Sequence, residues 1–221
     1  MRVLVFGATG AAGGSVLRAC LAAPAIDEVR AVVRRPLAIS DAKLRVSSHE
    51  DFLDYTPLAD VFAEIDACLF CLGISVTQAS GEAQYRTITH DFALAAARIT
   101  RTQSPQAAFH FISGRSTGLD SRFMWARVKG ETERDLIAEV GAVCWRPAFI
   151  DGETSSSGPR LYQWIRPVGR LLAPFQSMYV TGQAIGHAML QATNEGLRSR
   201  IIENAEIRTI ARRAGPLITG A

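Results

Sequence analysis

The sequence predicts an α/β fold: a doubly wound parallel sheet with helices on both of its faces. Three observations predict it. Short apolar runs alternate with helix-like segments over about 150 residues, as in chains built from β-α-β units. A glycine-rich turn lies directly between the first apolar run and the first helix. At 221 residues, of which 48% are hydrophobic and 20% charged, the chain is long enough to bury the core of such a sheet.

Strands are predicted from short apolar runs, and helices from longer segments bounded by turn or breaker residues. Pro24 ends the first helix, because a proline inside a helix removes a hydrogen bond and clashes with the preceding turn. In chain order, the predicted strands are Arg2–Phe6, Val29–Val33, Leu44–Val46, Ala67–Leu72, Ala108–Ser113, Ala142–Arg146 and Arg200–Glu203. The predicted helices are Ser15–Ala23, Pro57–Glu64, Glu82–Thr102, Phe123–Val140, Leu161–Leu172 (kinked at Pro167) and Gln183–Gln191.

The alternating pattern becomes irregular beyond Gly152, where Thr154–Pro159 has the composition of a flexible loop. Neither an internal repeat nor a clear linker divides the chain. We therefore expect one domain over residues 1–221, with a core at 1–152 and a small substrate-side extension at 153–221.

The composition argues against several classes of protein. The 24 basic and 21 acidic residues give a net charge of only +3, without an aromatic-plus-basic motif, so we expect no nucleic-acid partner. Neither an apolar run of about 18 residues nor a signal peptide is recognisable, which predicts a cytoplasmic protein without membrane attachment. Among the basic residues, only Lys43 and Lys129 are lysines.

The cysteines and histidines do not form a recognisable metal site. Cys68 and Cys71 form a CxxC pair, but it lies in a predicted strand, where residues three apart point to opposite faces. We therefore interpret these cysteines as reduced core residues and expect no metal. The four histidines show no ligand spacing, and His110, within a predicted strand, is interpreted as a core residue.

A turn with the spacing GxxGxxG joins the first strand to the first helix. Gly7 permits the tight turn, Gly10 removes a side chain where a phosphate meets the backbone, and Gly13 lets helix and strand pack closely. A pyrophosphate is attracted to a helix N-terminus by its free N–H groups and by the helix dipole. The loop therefore predicts an NAD(P)-binding domain of the Rossmann type.

The residues at the end of the second strand indicate whether the cofactor is NAD(H) or NADP(H). NAD-binding folds usually carry Asp or Glu there, for the ribose 2′-hydroxyl, whereas this chain has Arg34 followed by Arg35. A guanidinium pairs well with a 2′-phosphate, and no nearby acid in the sequence would repel that phosphate. We predict that NADP(H) is preferred over NAD(H); two solvated arginines in an arginine-rich chain are the alternative.

Several segments, in this order and spacing, resemble the atypical short-chain dehydrogenase/reductases. Within that family, the nearest branch is the Tat-interacting-protein oxidoreductase-like group. The segments that carry the resemblance are GATGAAG (7–13), VVRRP (32–36), CLG (71–73), FIS (111–113), VKGE (128–131), RPAFIDG (146–152) and ENAEI (203–207). The resemblance extends over almost the whole chain.

The resemblance implies a role for each matching residue. The pyrophosphate would contact Gly7, Thr9, Gly10, Ala11, Ala12 and Gly13, and the adenosine phosphate would contact Arg34 and Arg35. The ribose and nicotinamide would lie along Cys71, Leu72, Gly73, Pro147, Ala148, Phe149 and Ile150. Ser113 and Lys129 match the family's catalytic serine and lysine positions.

The chain departs from the family at residue 125. The family uses Tyr-x-x-x-Lys on this helix, where four residues place both side chains on one face. Here Trp125 precedes Lys129, and an indole N–H supplies no acid–base proton near neutral pH. We expect Lys129 to retain its contact with the nicotinamide ribose, but the usual carbonyl/alcohol proton relay to be absent.

Three functions remain open. The first is a reductase that passes hydride from NADPH to a flavin, quinone or similar small acceptor, with the proton supplied by water or Ser113. The second is a non-catalytic NADP(H)-binding redox sensor with a protein partner. The third is an enzyme in which Tyr85, Tyr162 or Tyr179 replaces the phenol. Arg115 follows Ser113 closely and is either a substrate contact or a surface residue. The protein is expected to be a monomer or homodimer.

Overall fold

A seven-stranded sheet lies at the centre of the protein in the computed structural model, which describes residues 1–152 and 178–219. The strands are β1 (Arg2–Phe6), β2 (Glu28–Val33), β3 (Leu44–Ser48), β4 (Ala67–Phe70), β5 (Ala108–Ile112), β6 (Val143–Arg146), β7 (Phe149–Asp151), β8 (Tyr179–Thr181) and β9 (Arg200–Glu203). The sheet has the order β3-β2-β1-β4-β5-β6-β9, and every neighbouring pair is parallel. β7 and β8 form a separate parallel pair. The chain reverses its direction of winding between β1 and β4, which confirms the predicted doubly wound Rossmann-type sheet.

The helices cover both faces of this sheet. They are α1 (Ala11–Ala22), α2 (Ala59–Phe62), α3 (Glu82–Arg86), α4 (Phe92–Gln103), α5 (Met124–Val140), α6 (Gly182–Asn194), α7 (Asn204–Arg213) and α8 (Gly215–Thr219). A π-helical turn, Thr87–Asp91, joins α3 to α4 and interrupts the single long helix predicted for this segment. Buried residues of α1, α6 and α7 form one core with the sheet, and those of α2, α4 and α5 form the other.

Most predicted elements are confirmed to within a few residues, and β1 and β9 have the predicted bounds. The first helix, however, begins at Ala11 and not at Ser15, because packing on β1 overrides the low helix propensity of the glycines. The strands β7 and β8 were not predicted, because three residues are too few to show an alternating pattern. The predicted loop Thr154–Pro159 and helix Leu161–Leu172 lie outside the described residues.

The cysteine pair is divided between the two faces of the sheet. Cys68 is buried in the core beneath α4 and α5, whereas Cys71 packs against the core beneath α1. Both thiols are free, as are those of Cys20 and Cys144. The prediction that the two side chains point to opposite faces of the sheet is therefore confirmed, although only Cys68 is fully buried.

His110 on β5 is a fully buried core histidine, as predicted. Its Nδ1 accepts a hydrogen bond of 3.1 Å from the Trp145 indole, which leaves Nε2 as the donor to Thr193 Oγ1 at 2.9 Å. Burial lowers the pKa of His110 to about 3, so the ring stays neutral. This network ties α6 to β5 and β6.

The helices α1 and α6 pack with almost no side-chain spacing between them. A Cβ atom at Gly186 would lie 2.6 Å from the Ala19 Cβ and 3.3 Å from the Val16 Cα. A larger residue at this position can be accommodated only if α6 moves away from α1. This contact fixes α1, and with it the loop that precedes α1.

We expect Gly186→Val to lower the free energy of unfolding by about 1–3 kcal/mol, because overpacking a tight contact costs that much. The exposed Gln183 lies on the same helix, and Gln183→Val should change stability by less than about 0.5 kcal/mol. Urea unfolding followed by circular dichroism measures both variants. Equal stability of the two would show that the approach of α6 to α1 is not restrictive.

Candidate functional site

The loop between β1 and α1 is shaped by contacts that only glycine allows. Gly7 has a φ of +77°, and a Cβ there would lie 2.5 Å from the Cys71 carbonyl oxygen. A Cβ at Gly13 would lie 2.2 Å from the carbonyl oxygen of Gly7. The amide of Gly10 donates to the same Gly7 carbonyl at 2.9 Å. The loop therefore folds back tightly at the carboxyl end of β1.

The first turn of α1 presents free donors to this loop. Gly10 is the N-cap and offers no side chain to cap the helix, and the first turn contains no acidic residue. Within the described chain, the amides of Ala11, Ala12 and Gly13 have no hydrogen-bond acceptor. Unsatisfied helix N-terminal amides together with the helix dipole bind phosphate groups. The residues present therefore fit a dinucleotide pyrophosphate.

A cleft of about 760 Å³ lies in front of this loop. It contains the predicted cofactor residues Gly7, Thr9, Gly10, Ala11, Arg34, Arg35, Cys71, Leu72 and Gly73. Ala12 and Gly13 follow in the first turn of α1. The opposite wall, with Gln84, Thr87, Ile88 and Phe92, comes from α3, the π-helical turn and α4, and no sequence motif indicated these residues. The volume falls within the range of small-molecule sites.

Arg34 and Arg35 follow the carboxyl end of β2 and line this cleft. Both side chains are exposed, and neither has a carboxylate partner in residues 1–152 or 178–219. Their positive charges are therefore not neutralised by the described part of the chain. An anionic group at the β2 end of the cleft would be held favourably.

A second cleft, of about 440 Å³, lies at the ends of β5 and β6. Its lining residues are Ser113, Gly114, Arg115, Trp125, Pro147, Ala148, Phe149, Ile150 and Met178. The predicted cofactor residues after β6 therefore line this cleft and not the larger one. Gly152, just beyond β7, approaches the start of α1 so closely that a Cβ there would lie 2.5 Å from the Ala11 carbonyl oxygen. The segment after β6 thus passes beside the glycine loop.

Ser113 has its hydroxyl directed into the protein. The side chain is 3% exposed, and its Oγ lies 3.2 Å from Thr117 Oγ1. Thr117 donates its own proton to the Gly114 carbonyl at 2.8 Å, so Ser113 is the donor in the serine–threonine pair. Sequence reasoning did not identify Thr117, because nothing in the local pattern predicts that the loop turns back at this residue.

Lys129 lies one helical turn after Trp125, as predicted, but its amine points beneath the loop after β5. Nζ donates a hydrogen bond of 2.5 Å to the Ser113 carbonyl oxygen. Neither of the two described clefts has Lys129 in its lining. Burial lowers the pKa of Lys129 to about 8, and the negative charge of Glu133 partly opposes that shift.

Glu133 is 2% exposed and is held in place by Arg146. The guanidinium of Arg146 donates two hydrogen bonds to this carboxylate, at 2.9 Å and 2.6 Å. It also reaches Glu203 at 3.1 Å. Because the pair is bidentate, the Glu133 carboxylate has a fixed position one turn from Lys129.

Trp125 forms part of the wall of the second cleft, and its ring stacks on Phe123 at a centroid distance of 6.4 Å. Neither of the described candidate tyrosines lines that cleft. Tyr85, on α3, is only 2% exposed, and the Tyr179 hydroxyl donates to Asp151 Oδ2 at 2.8 Å. Tyr162 lies outside the described residues. The structure therefore does not bring Tyr85 or Tyr179 to the position of the missing phenol.

Residues 1–152 and 178–219 contain no group of three or more His, Cys, Asp or Glu side chains placed to hold a metal ion. No helix in these ranges has the length and apolar character needed to cross a membrane.

Curated relatives place the chain in a family. It is 31% identical to "Protein FMP52, mitochondrial" of Kluyveromyces lactis over 165 residues, which are 71% of this chain and 70% of the relative. The protein of the same name from Saccharomyces cerevisiae is 30% identical over 163 residues, 71% of this chain and 69% of the relative. The Eremothecium gossypii protein is 28% identical across 96% of this chain and 98% of its own length. No protein-family model matches the sequence.

Solved structures that resemble the chain show the same fold. The Bordetella bronchiseptica enzyme WbmF, solved with NAD⁺, has a TM-score of 0.71 at 12% identity and covers 99% of this chain and 78% of its own. DesIV of Streptomyces venezuelae, a dTDP-glucose 4,6-dehydratase solved with NAD, has a TM-score of 0.68 at 15% identity, with coverages of 96% and 80%. A short chain dehydrogenase family protein of Francisella tularensis has a TM-score of 0.67 at 13% identity, with coverages of 94% and 98%.

The fold and the glycine loop define a Rossmann-type α/β protein. Within that class, the chain belongs to the FMP52 family. The predicted cytoplasmic location is wrong, because the FMP52 relatives are named as mitochondrial proteins. The sequence expectation rested on the absence of a recognisable targeting signal, which is weak support for a location.

The burial of the Lys129 amine predicts that its pKa is about 8. Because the ordinary value is 10.5, the unfolded chain binds more protons between these two values, so this group makes stability rise with pH there. Labelling with [¹³Cε]lysine gives two NMR signals, from Lys43 and Lys129, and the signal absent in Lys129→Arg identifies the second. A midpoint of 10 or higher for that signal would contradict the buried position of the amine.

Proposed function

We propose that the protein is an NADP(H)-dependent oxidoreductase that reduces a quinone, flavin or similar conjugated acceptor without an acid supplied by a tyrosine. The observation that carries the proposal is Trp125, which lines the cleft beside the glycine loop where a catalytic phenol is expected. An indole cannot supply a proton near neutral pH, but its flat face suits a flat acceptor. Solved structures of similar fold contain NAD, which supports a nicotinamide dinucleotide.

The residues that would hold NADP(H) are those of the larger cleft. The free amides of Ala11, Ala12 and Gly13 would bind the pyrophosphate, and Arg34 with Arg35 would bind the 2′-phosphate. The segment Pro147–Ile150 would border the nicotinamide, since it lines the adjoining cleft. The amine of Lys129, held at the Ser113 carbonyl, would stabilise the loop between the two clefts.

When bound, NADPH supplies a hydride. A quinone in the second cleft would accept that hydride together with one proton from water, which yields the hydroquinone and NADP⁺. The quinone gains two electrons in this step, and the nicotinamide loses two. The exposed mouth of the cleft, with Arg115 and Met178, gives water access, so no protein acid is needed.

A second candidate is a non-catalytic NADP(H) sensor that reports redox state to a protein partner. The direction of the Ser113 hydroxyl favours it, because this group donates to Thr117 and not into the cleft. We also propose that the chain is related to the Tat-interacting-protein oxidoreductase-like branch, which its sequence resembles.

The 2′-phosphate assignment predicts that Arg34→Ser and Arg35→Ser together weaken NADPH binding about 100- to 10,000-fold. Charge-assisted hydrogen bonds contribute about 1.5–3 kcal/mol each, and about 1.4 kcal/mol corresponds to tenfold. The dissociation constant of NADH, which lacks the phosphate, should change less than threefold. Isothermal titration calorimetry measures both ligands. A loss of the same size for NADH would show that the arginines do not recognise the 2′-phosphate.

Turnover distinguishes the two candidate functions. We expect the purified protein to oxidise NADPH, followed at 340 nm, when 1,4-naphthoquinone is supplied. Gly13→Val should abolish both turnover and NADPH binding, because its side chain would collide with the Gly7 carbonyl and displace the free amides of α1. Trp125→Leu should raise the KM for the quinone several-fold and leave NADPH affinity within twofold, because it removes only the aromatic wall of the second cleft. NADPH binding without consumption, across quinone and flavin acceptors, would instead support the sensor.

A further inference from the structure

The second cleft contains one ionisable residue among the described residues that line it, and that residue is Arg115. The other lining residues are neutral, and most of them are apolar: Trp125, Pro147, Ala148, Phe149, Ile150 and Met178. In a mostly apolar cleft, one charged group makes the cleft selective among ligands of similar shape. A ligand that fits this cleft therefore has an apolar body and a group that can interact with a guanidinium.

The backbone at Arg115 is fixed at the rim of the cleft. Its amide donates to the Pro147 carbonyl at 2.9 Å, which joins the loop after β5 to the loop after β6. The next residue, Ser116, has a φ of +66°, so the chain turns sharply immediately after Arg115. The guanidinium therefore extends from a backbone position that two neighbouring strands determine.

The charge of Arg115 is not neutralised by the described part of the chain. Its side chain is exposed, and no carboxylate within residues 1–152 or 178–219 pairs with it. Other arginines of this protein are paired: Arg146 with Glu133 at 2.6 Å, and Arg98 with Glu139 at 2.8 Å. A guanidinium has five N–H donors and no acceptor. An unpaired guanidinium therefore binds anions in preference to neutral groups.

We infer that Arg115 selects an acceptor that combines a flat conjugated ring with an anionic substituent such as a carboxylate or sulfonate. The ring would lie between Trp125 and Phe149 along the apolar walls, and the anion would face the guanidinium at the rim. The volume of about 440 Å³ is sufficient for a bicyclic ring. This inference rests on the proposed function, because it assigns the acceptor to the second cleft. Arg115 does not line the cleft of the glycine loop, so the inference does not involve the cofactor phosphates.

The test compares a neutral and an anionic acceptor of the same ring: 1,4-naphthoquinone and 1,4-naphthoquinone-2-sulfonate. The two quinones differ in intrinsic reactivity, so the measured quantity is the ratio of their kcat/KM values, compared between wild type and variants. In Arg115→Gln, the anionic-to-neutral ratio should fall about tenfold, and Arg115→Lys should retain part of the preference. The matched control is Arg122→Gln, which removes the same charge from an exposed arginine outside the cleft and should leave the ratio unchanged.

A binding measurement separates this inference from the proposed function. Naphthalene-2-sulfonate and 2-naphthol have the same ring and cannot be reduced by NADPH in this reaction, so their affinities do not depend on turnover. Arg115→Gln should weaken the sulfonate about tenfold and leave 2-naphthol within twofold, as measured by calorimetry. If the wild-type protein consumes no NADPH, but Arg115→Gln still weakens only the sulfonate, then the proposed function is wrong and the anion site at Arg115 is supported.

Three results would overturn the inference. One is an unchanged preference for the anion, in turnover and in binding, in Arg115→Gln. Another is an equal loss in Arg122→Gln, which would indicate a general effect of net charge and not a contact. The third is a weakened affinity of Arg115→Gln for NADPH with no change in the sulfonate, which would place the guanidinium on the cofactor.

Discussion

The architecture of the site depends on the close packing of α1 against the glycine loop and against α6. At its N-terminus, Gly13 contacts the carbonyl of Gly7, and further along the helix, Gly186 of α6 contacts Ala19. Backbone therefore meets backbone or a methyl group, without the side-chain layer that usually separates packed elements. Because protein interiors are close-packed, one added Cβ at these contacts would displace a whole helix. The free amides of α1 are thus fixed relative to the end of β1, so a bound phosphate would meet donors that are already positioned.

The parallel sheet explains why two clefts lie next to each other. The strands β1, β2, β4, β5 and β6 all end at the same edge, so the loops that follow them are neighbours even where the sequence separates them widely. The loops after β1, β2 and β4 form the larger cleft, and those after β5 and β6 form the smaller one. Positive charges lie at both ends, from Arg34 and Arg35 in one cleft and from Arg115 in the other. The site therefore suits anionic groups at two separate points, joined by an apolar surface.

A buried electrostatic network supports the smaller cleft from beneath. Arg146 fixes Glu133 by two hydrogen bonds, and Glu133 opposes part of the cost of burying the ammonium of Lys129. That ammonium in turn holds the loop that carries Ser113. A buried charge without such partners would be costly, so the three charged residues depend on one another. Lys129 thus stabilises the loop after β5, and this role does not require a tyrosine at position 125.

The sequence by itself determined the fold class and the glycine loop, because these rest on local signals: apolar runs, breakers and the spacing of Gly7, Gly10 and Gly13. It also identified Lys129 and the departure at Trp125, since both are readable from a short motif on one helix. Only the tertiary structure showed that Ser113 donates to Thr117, that Tyr85 is buried elsewhere, and that the wall from α3 and α4 completes the larger cleft. The direction of a hydroxyl and the position of a helix beside a cleft depend on contacts between residues far apart in the chain. No local sequence pattern encodes such contacts.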